Sequence, residues 1–492
     1  MTATRRTTLL TPLEMAAVDR AAAASGIDSY GLMERAGRAV SASVLRHFPY
    51  AERVVVFCGP GNNGGDGYVV ARDLAASGVM TAVYCLGDPQ KLRGDARKAF
   101  ENCGLVPSHL ERYEPKAGDV LVDAIFGAGL DRSVPAEVDA AVKTVADAGI
   151  PVVAVDLPSG LDGRTGAVRG AAFIAAHTIT FMTRKPGHLL LPGRDLCGAV
   201  EVVDIGIPWR IVSAAAGSLA ENDPERWLAA IPRASASQHK FSRGHLAVFS
   251  GPANATGAAR LTASAALRVG AGLVTLASPP DALEANAAHL TAVMLKEIAD
   301  VGALKDWFDD SRLNAFVLGP GFGIGQKARD FTIALGEAGK SLVLDADGIT
   351  SFRDDPTPLF KSFGGGPCRL VLTPHEGEFS RLFPDIAADA GLGKIDKAVR
   401  AAERANAAVI YKGADSVIAA PDGRAMINTN APPQLATAGS GDVLAGIVGG
   451  LLAQGVPAFE AAAAGVWLHG EAAKRAGRGL TAETLFEAVE PP

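Results

Sequence analysis

Near its end the chain reads Leu435-Ala436-Thr437-Ala438-Gly439-Ser440-Gly441-Asp442-Val443-Leu444-Ala445-Gly446, a turn of small residues that leads into an apolar helix. The apolar residues after the turn recur at helical spacing: Val443, Leu444, Ile447, Val448, Leu451 and Leu452. The first N–H groups of a helix and its dipole favour anions, and glycine lets a phosphate approach the backbone closely. We therefore expect the turn Gly439–Gly441 to hold a phosphate.

Asp442 is the unusual member of this turn, because a carboxylate beside a bound phosphate is repelled by it. Its position makes chemical sense if Asp442 accepts a proton from a hydroxyl that attacks the phosphate. The alternative is an aspartate that only caps the helix. The setting of Gly-Ser-Gly-Asp before a long apolar helix favours phosphate chemistry.

Composition limits the classes of protein that the chain can represent. Its 492 residues are too many for a single core, and the net charge of −6 argues against nucleic acid as a partner. Five scattered cysteines exclude a zinc ribbon or a disulfide framework and fit a reducing compartment. No uncharged apolar run reaches bilayer length. We expect a cytoplasmic protein that does not associate with membranes.

Short apolar runs alternate with helical segments in both halves, which predicts parallel sheets covered on both faces. Helices are predicted over 8–48, with Glu14 at the capping-box offset from Thr11. Residues 209–232 are rich in Ala and Ser and show no strand pattern, so we place a domain boundary near residue 220. The predicted strands are 54–58, 81–86, 120–124, 152–156 and 178–182 in the first domain, and 245–250, 274–277, 315–318, 342–345, 370–373, 409–412 and 416–419 in the second.

Three polar loops follow strands of the first half. The first, Gly59-Pro60-Gly61-Asn62-Asn63-Gly64-Gly65-Asp66-Gly67, is predicted as a glycine-rich phosphate loop before a helix at 68–77. The others are Asp123-Ala124-Ile125-Phe126-Gly127-Ala128-Gly129-Leu130-Asp131-Arg132 and Asp156-Leu157-Pro158-Ser159-Gly160-Leu161-Asp162. Parallel sheets bind ligands at the carboxyl ends of their strands, so the three loops should meet at one site.

These loops resemble the signature loops of the NAD(P)H-hydrate epimerases, over about residues 8–210. The resemblance implies a Rossmann-like α/β/α domain within 1–215 that interconverts the R and S hydrates of NADH and NADPH. It implies that Asp156 contacts the hydrated nicotinamide as the candidate acid/base. Potassium ligands would be Asn63, Asp123 and Ser159, which suit a hard cation. The implied substrate-binding residues are Asn62, Asn63, Gly64, Gly65, Asp66, Gly127, Ala128, Gly129, Leu130, Asp131, Arg132, Ser133 and Asp156.

The second half resembles the ADP/ATP-dependent NAD(P)H-hydrate dehydratases of the ribokinase-like fold, over about residues 225–490. Eight segments in order carry this resemblance: 239–244, 257–261, 268–274, 319–323, 345–348, 373–379, 412–414 and the turn before Asp442. The resemblance implies a second three-layer α/β/α domain within 225–492. One departure is Ala431-Pro432-Pro433-Gln434, where relatives carry a glycine-rich segment.

The second resemblance also implies site residues. The implied hydrate-binding residues are Ala258, Gly321, Gly323, His375 and Asp442. The implied nucleotide-binding residues are Lys412, Gly413, Ala414, Asp415, Ser416, Gly439, Ser440 and Gly441. Glu378 is the candidate Mg²⁺ ligand, directly or through water, while Asp347 is either a site residue or a helix cap.

Together the two resemblances imply a bifunctional repair enzyme, with ADP as phosphoryl donor by analogy with bacterial relatives. Its small-molecule partners would be hydrated NADH, hydrated NADPH and ADP, and we expect a homo-oligomer. The alternative enzyme is a ribokinase-type small-molecule kinase, which would release a stable phosphorylated product. The non-enzymatic alternative for the first domain is a nucleotide-sensing module.

Overall fold

The computed structural model describes residues 3–232, 240–310 and 312–492. The chain divides into two compact units, Met1–Leu219 and Ala220–Pro492. His239, the first residue of one quoted motif, lies outside the described residues.

The first unit is built around a seven-stranded sheet in which neighbouring strands pair in parallel throughout. Its strand order is β3-β2-β1-β4-β5-β6-β7. Strands β1 to β3 are added toward one edge of the sheet and β4 to β7 toward the other, so the switch point lies between β1 and β4. The strands are β1 Arg53–Cys58, β2 Thr81–Cys85, β3 Ser108–His109, β4 Asp119–Ala124, β5 Val152–Val155, β6 His177–Phe181 and β7 Ala199–Val203.

Helices cover both faces of this sheet. Alternate residues of β1 accordingly belong to two different hydrophobic cores, one on each face. Val54, Val56 and Cys58 pack with one cluster, whereas Val55 and Phe57 pack with the other. The helices are α1 Ala3–Thr7, α2 Pro12–Ala24, α3 Ser29–His47, α4 Asn62–Ala76, α5 Gly94–Cys103, α6 Ala136–Asp147, α7 Gly193–Leu196 and α8 Trp209–Ala215. The predicted capping box of Thr11 and Glu14 is confirmed at the start of α2.

The predicted start of α4 at residue 68 was wrong, since the helix begins at Asn62 inside the glycine-rich loop. Glycine has a low helix propensity and indicates a loop, but here it serves close packing. A Cβ at Gly67 would lie 2.7 Å from that of Ala124, and one at Gly64 would lie 2.0 Å from the carbonyl oxygen of Gly59. The segment Asn62–Asp66 is therefore the first turn of a helix.

The second unit contains a ten-stranded mixed sheet of order β11-β10-β9-β12-β13-β14-β15-β16-β17-β8. The run from β11 to β15 is parallel, and β16 pairs antiparallel with both β15 and β17. The strands are β8 Leu219–Glu221, β9 His245–Phe249, β10 Leu273–Ser278, β11 Met294–Glu297, β12 Leu313–Leu318, β13 Ser341–Leu344, β14 Leu370–Leu372, β15 Ala407–Tyr411, β16 Val417–Ala419 and β17 Ala425–Ile427.

The prediction that residues 209–232 contain no strand was wrong. Strand β8 lies in this segment and pairs beside β17 at the edge of the sheet. Its residues Leu219-Ala220-Glu221 do not form an apolar run that would mark a strand. The helices of this unit are α9 Pro224–Trp227, α10 Gly257–Arg268, α11 Leu283–Ala287, α12 Val301–Trp307, α13 Gln326–Glu337, α14 Ala346–Thr350, α15 Thr357–Phe363, α16 Glu376–Leu382, α17 Pro384–Ala388, α18 Lys394–Ala405, α19 Ser440–Ala453, α20 Ala458–Ala476 and α21 Ala482–Glu487.

The predicted class of two α/β domains with three layers each is confirmed. None of the helices formed by the described residues combines the length and apolar character needed to cross a bilayer.

Candidate active sites

A cavity of about 580 Å³ opens at the carboxyl end of the first sheet. All three predicted loops contribute to its wall: Gly61–Asn63 follows β1, Ile125–Arg132 follows β4, and Asp156 follows β5. Helix α2 adds Asp19, and Lys185 reaches the cavity from the turn after β6. The topology thus brings together residues that are far apart in the sequence.

Asp156 is held in this cavity by hydrogen bonds to both carboxylate oxygens. Oδ1 accepts from Lys185 Nζ at 2.6 Å and from Thr180 Oγ1 at 2.9 Å, and Oδ2 accepts from the backbone N–H of Ala128 at 2.9 Å. Burial alone would raise its pKa, but the charge and hydrogen bond of Lys185 outweigh it and lower the pKa to about 2. Asp156 is therefore a carboxylate anion at neutral pH.

The backbone at Asp156 is left-handed, with φ of 66°, a conformation that non-glycine residues seldom adopt. His188 supports it. The backbone N–H of Lys185 donates to His188 Nδ1 at 2.9 Å, so Nε2 carries the proton and donates to the Asp156 carbonyl oxygen at 2.8 Å. Burial and the Lys185 charge lower the pKa of His188 to about 4, so its ring is neutral.

Asp123 and Ser159 form a second, deeper group of oxygen atoms. Asp123 accepts from Ser159 Oγ and from Ser159 N–H, each at 2.6 Å, while Ser159 Oγ also accepts from Phe126 N–H at 2.8 Å. Both residues are fully buried. Burial raises the pKa of Asp123 to about 6, because its hydrogen bonds with Ser159 only partly offset it. In the described part of the chain no lysine or arginine pairs with Asp123.

The predicted residues of the first domain divide into those that line the cavity and those that do not. Asn62, Asn63, Asp66 and the segment 127–132 line it. Gly64 and Gly65 are buried in helix packing, where a Cβ at Gly65 would lie 2.6 Å from Met33 Cε. Ser133 is exposed and is not among the lining residues.

In the second unit, Asp442 lies in the first turn of α19, after Gly439 with φ of 83°. A Cβ on Gly441 would be 3.7 Å from Lys412 Nζ and 3.8 Å from Asp345 Oδ2, so the turn faces both of these charged groups. Lys412 Nζ is 2.9 Å from Asp345 Oδ1 and 3.9 Å from Glu378 Oε2. Asp345 follows β13, Glu378 comes after β14, and Lys412 follows β15. These three strands are parallel neighbours, so their carboxyl ends lie side by side at the same end of the sheet.

The charges around this turn change the protonation of its members. Burial and the negative charge of Asp345 raise the pKa of Asp442 to about 6, although Lys412 opposes the shift. Burial lowers the pKa of Lys412, but Asp345, Glu378 and Asp442 together raise it above its usual value. Asp442 thus has a pKa suited to accepting a proton near neutral pH.

Helix α10 connects the turn to the other predicted hydrate-binding residues. Thr262 Oγ1 donates to the carbonyl oxygens of both Asp442, at 2.9 Å, and Ala258, at 3.0 Å. A Cβ on Gly321 would lie 3.4 Å from that of Ala258, so Gly321 is beside it. Gly323 N–H donates to Asp347 Oδ2 at 2.9 Å, so Asp347 orders the Gly321–Gly323 loop.

His375 is the N-cap of α16, and its Nδ1 accepts from the N–H groups of Gly377 and Glu378. Its side chain is 57% exposed, which leaves Nε2 accessible to a ligand. Glu378 is buried, and its Oε2 accepts from the His375 N–H at 2.9 Å. His375 and Glu378 thus form a capping box at the edge of the site.

The segment 412–416 is a tight turn after β15. Gly413 N–H donates to Ser416 Oγ at 3.1 Å, and Ser416 Oγ donates to the Gly413 carbonyl. Asp415 is buried and pairs with Lys394, whereas Gly413 and Ala414 are exposed. Any nucleotide contact made by this turn therefore comes most directly from its backbone.

Comparisons with known proteins match a different family to each half of the chain. Residues 246–489 match the family model for NAD(P)H-hydrate dehydratase, and residues 29–187 match that for the YjeF-related protein N-terminus. The bifunctional NAD(P)H-hydrate repair enzyme of Moorella thermoacetica is 38% identical, over 96% of this chain and 92% of that enzyme. The corresponding Escherichia coli enzyme is 33% identical over 94% of this chain and 90% of its own length.

The chain belongs to the bifunctional NAD(P)H-hydrate repair enzymes. The family and the enzyme class predicted from the loops are thereby confirmed. Among solved structures, the ADP/ATP-dependent NAD(P)H-hydrate dehydratase of Bacillus subtilis, crystallised with ATP and Mg²⁺, is 24% identical with a TM-score of 0.47 and covers 55% of this chain and 95% of its own.

Sequence reasoning missed several groups that surround the sites of this repair enzyme. Lys185 precedes Pro186-Gly187, a turn signal after a strand that could have placed a cation at the same sheet edge. Thr180, His188, Thr262 and Asp19 carry no motif of their own. Only the fold places them beside the predicted residues.

Proposed function

We propose that the first unit interconverts the R and S hydrates of NADH and NADPH, and that the second dehydrates the S form with ADP as phosphoryl donor. The observation that carries the proposal is the group around Asp442. There a proton-accepting carboxylate, the Gly439–Gly441 turn and the Lys412 ammonium meet. This group can bind a phosphate and activate a hydroxyl beside it.

The chemistry explains why a nucleotide is needed. Hydroxide is a poor leaving group and phosphate is a good one. Asp442 accepts the proton of the C6 hydroxyl as that oxygen attacks the β-phosphate of ADP, which forms a phosphate ester and AMP. Loss of phosphate from C6 together with a proton from C5 then forms the C5=C6 double bond and restores the dihydronicotinamide ring. The backbone N–H groups of the turn and Lys412 stabilise the charge on the transferred group.

Mg²⁺ fits the carboxylates beside this turn. Glu378 Oε2 accepts the hydrogen bond of the helix cap, whereas Oε1 lies 3.5 Å from His375 Nε2 and is the oxygen that the cap does not use. Glu378 would hold the ion, with Asp345 as the second carboxylate of the same edge. When bound, Mg²⁺ would neutralise charge on the phosphates.

K⁺ fits the deeper group of the first unit. Asp123 is a fully buried carboxylate with no cationic side chain paired to it among the described residues, which is the environment that a bound cation would stabilise. Asn63 Nδ2 is buried without a hydrogen-bond partner, and exchanging the two ends of that amide would present an oxygen instead. Asn63, Asp123 and Ser159 would hold the ion.

The proposal is tested by absorbance at 340 nm on mixed R and S hydrates of NADH with Mg²⁺, K⁺ and either ADP or ATP. We expect wild type to recover all of the NADH, Asp442→Ala to recover none, and Asp156→Ala to recover only the S fraction rapidly. Asp354→Asn, at an exposed acidic residue, is the matched control and should behave as wild type. No NADH from wild type with either nucleotide, or accumulation of a stable phosphorylated product, would favour the kinase alternative.

The predicted homo-oligomer and the predicted cytoplasmic location stay predictions. Light scattering on the purified chain would test the first, where a particle mass of one chain would contradict it.

A further inference from the structure

Five aspartates line the cavity of the first unit, and three of them interact electrostatically with one another. Asp19 from α2, Asp66 from α4 and Asp156 after β5 all line the cavity with Lys185. The Lys185 side chain is only 2% exposed, and its Nζ contacts Asp156 Oδ1 at 2.6 Å and Thr180 Oγ1 at 2.8 Å. The buried Lys185 ammonium group is thus committed to Asp156.

Asp66 has no such partner. In the part of the chain that the structure describes, no side chain or backbone amide donates a hydrogen bond to its carboxyl group. Burial and the negative charges of Asp156 and Asp19 raise its pKa well above the usual value. Although the Asp19 residue is exposed, partial desolvation and the charge of Asp156 also raise its pKa, against the opposing charges of Lys185 and Arg20. Like charges that interact within one cavity disfavour simultaneous ionisation, so Asp66, to which no described residue donates a hydrogen bond, retains a proton.

We propose that the two catalytic tasks of this site are divided: Asp156, paired with Lys185, is a permanent anion that orients the hydrate, and Asp66 is the acid that exchanges a proton with its C6 hydroxyl. This division rests on the epimerase activity proposed above and assigns its proton-transfer residue. Lys185 acts through Asp156 and is a positioning residue.

The step is balanced without a further reactant. The Asp66 proton passes to the hydroxyl oxygen as the C6–O bond breaks, which releases water and leaves a ring cation with a double bond between N1 and C6. Water adds to the opposite face of C6 and releases one proton, which restores the Asp66 acid. The Asp156 anion stays ionised throughout and stabilises the ring cation electrostatically.

The experiment measures interconversion of purified R and S hydrates by chromatography, with no nucleotide present so that dehydration does not occur. We expect Asp66→Asn to lower kcat by about 100-fold or more with KM little changed. Asp147→Asn, at an exposed aspartate on α6, is the matched control and should keep wild-type kcat. Dehydration of pure S hydrate with ADP, together with the melting temperature, reports whether each variant is folded.

The pH profile separates proton transfer from a structural role. The charges of Asp19 and Asp156 act on Asp66, and the other charged groups that line the same cavity are Lys185, Asp95, Asp131 and Arg132. Activity should fall as pH rises and Asp66 loses its proton. Asp19→Asn removes a negative neighbour, lowers the Asp66 pKa and should move this decline to lower pH. Lys185→Met should bring a second decline, at acidic pH, into the measurable range because Asp156 becomes able to take up a proton.

The outcomes distinguish this inference from the proposed function. Wild-type interconversion that does not exceed the rate without enzyme would overturn both. An active wild type together with an Asp66→Asn variant that keeps most of its kcat would overturn the inference alone. An Asp19→Asn profile identical to that of wild type would also overturn it, even if Asp66→Asn failed to fold.

Discussion

Asp156 and Asp442 differ in pKa mainly because a lysine is hydrogen-bonded directly to Asp156 and not to Asp442. A buried lysine bonded directly to Asp156 lowers its pKa to about 2, whereas burial and the neighbouring Asp345 raise that of Asp442 to about 6. Lys412 lies near Asp442 but is bonded to Asp345. The same residue type is therefore a fixed anion in one unit and a proton acceptor in the other.

The pKa of Asp442 predicts how dehydration depends on pH. A protonated Asp442 cannot accept the hydroxyl proton, so kcat/KM for the S hydrate should fall as pH decreases through about 6. Asp345→Asn removes the nearest negative charge and lowers the Asp442 pKa, so the decline should move to lower pH. A rate profile on pure S hydrate with saturating nucleotide measures both.

The exposed Asp354 provides the control, because Asp354→Asn should leave the midpoint of the decline where it is in wild type. A wild-type profile that is flat between pH 5 and 7 would contradict the assignment of Asp442 as the proton acceptor.

At the scale of elements, the position of Asp442 depends on the close approach of α10 to α19. A Cβ at Gly446 would lie 2.1 Å from the Thr262 carbonyl oxygen, and one at Gly450 would lie 2.5 Å from Val269 Cγ1. The same approach lets Thr262 donate its hydroxyl hydrogen bond to Asp442. Small residues on α19 therefore hold the catalytic turn at its distance from α10.

Gly446→Ala should force these helices apart and destabilise the second unit by about 1–3 kcal/mol. We expect lower kcat/KM for dehydration, while epimerisation in the first unit keeps its rate. Chemical denaturation and separate assays of the two reactions measure these effects.

Gly479→Ala is the matched control, because nothing lies within 4 Å of a Cβ built at Gly479. If Gly446→Ala were as stable and active as this control, the proposed dependence of the turn on helix packing would be wrong.

At the scale of the whole molecule, the two units should respond separately to K⁺. The buried Asp123 and Ser159 belong to the first unit. Replacing K⁺ with tetramethylammonium, which is too large for that site, should slow epimerisation and lower the melting temperature. Dehydration of pure S hydrate in the same two buffers is the internal control and should be unaffected. Equal epimerisation rates and melting temperatures in both buffers would contradict the K⁺ assignment.

Much of this organisation follows from local sequence. Alternating apolar runs and helices predict two α/β units, and loops after β1, β4 and β5 predict where the first cavity lies, because parallel strands end at a common edge. The strands β3, Ser108–His109, and β8, Leu219–Glu221, escaped prediction because neither contains an apolar run, whereas the equally short β14 and β16 were predicted from continuous apolar residues. The glycines of Asn62–Gly67 indicated a loop because propensity does not report how closely a helix packs.

The sequence by itself determined the family, the two-unit organisation and the loops that carry the candidate sites, since these depend on local patterns and on strand order. Only the tertiary structure decided which charges face one another: Lys185 with Asp156, Asp66 with no partner among the residues that the structure describes, and Lys412 between Asp345 and Glu378. These pairs are separated by tens of residues in the chain, and their protonation depends on burial and on distances of a few ångströms. Such quantities arise only when the chain is folded.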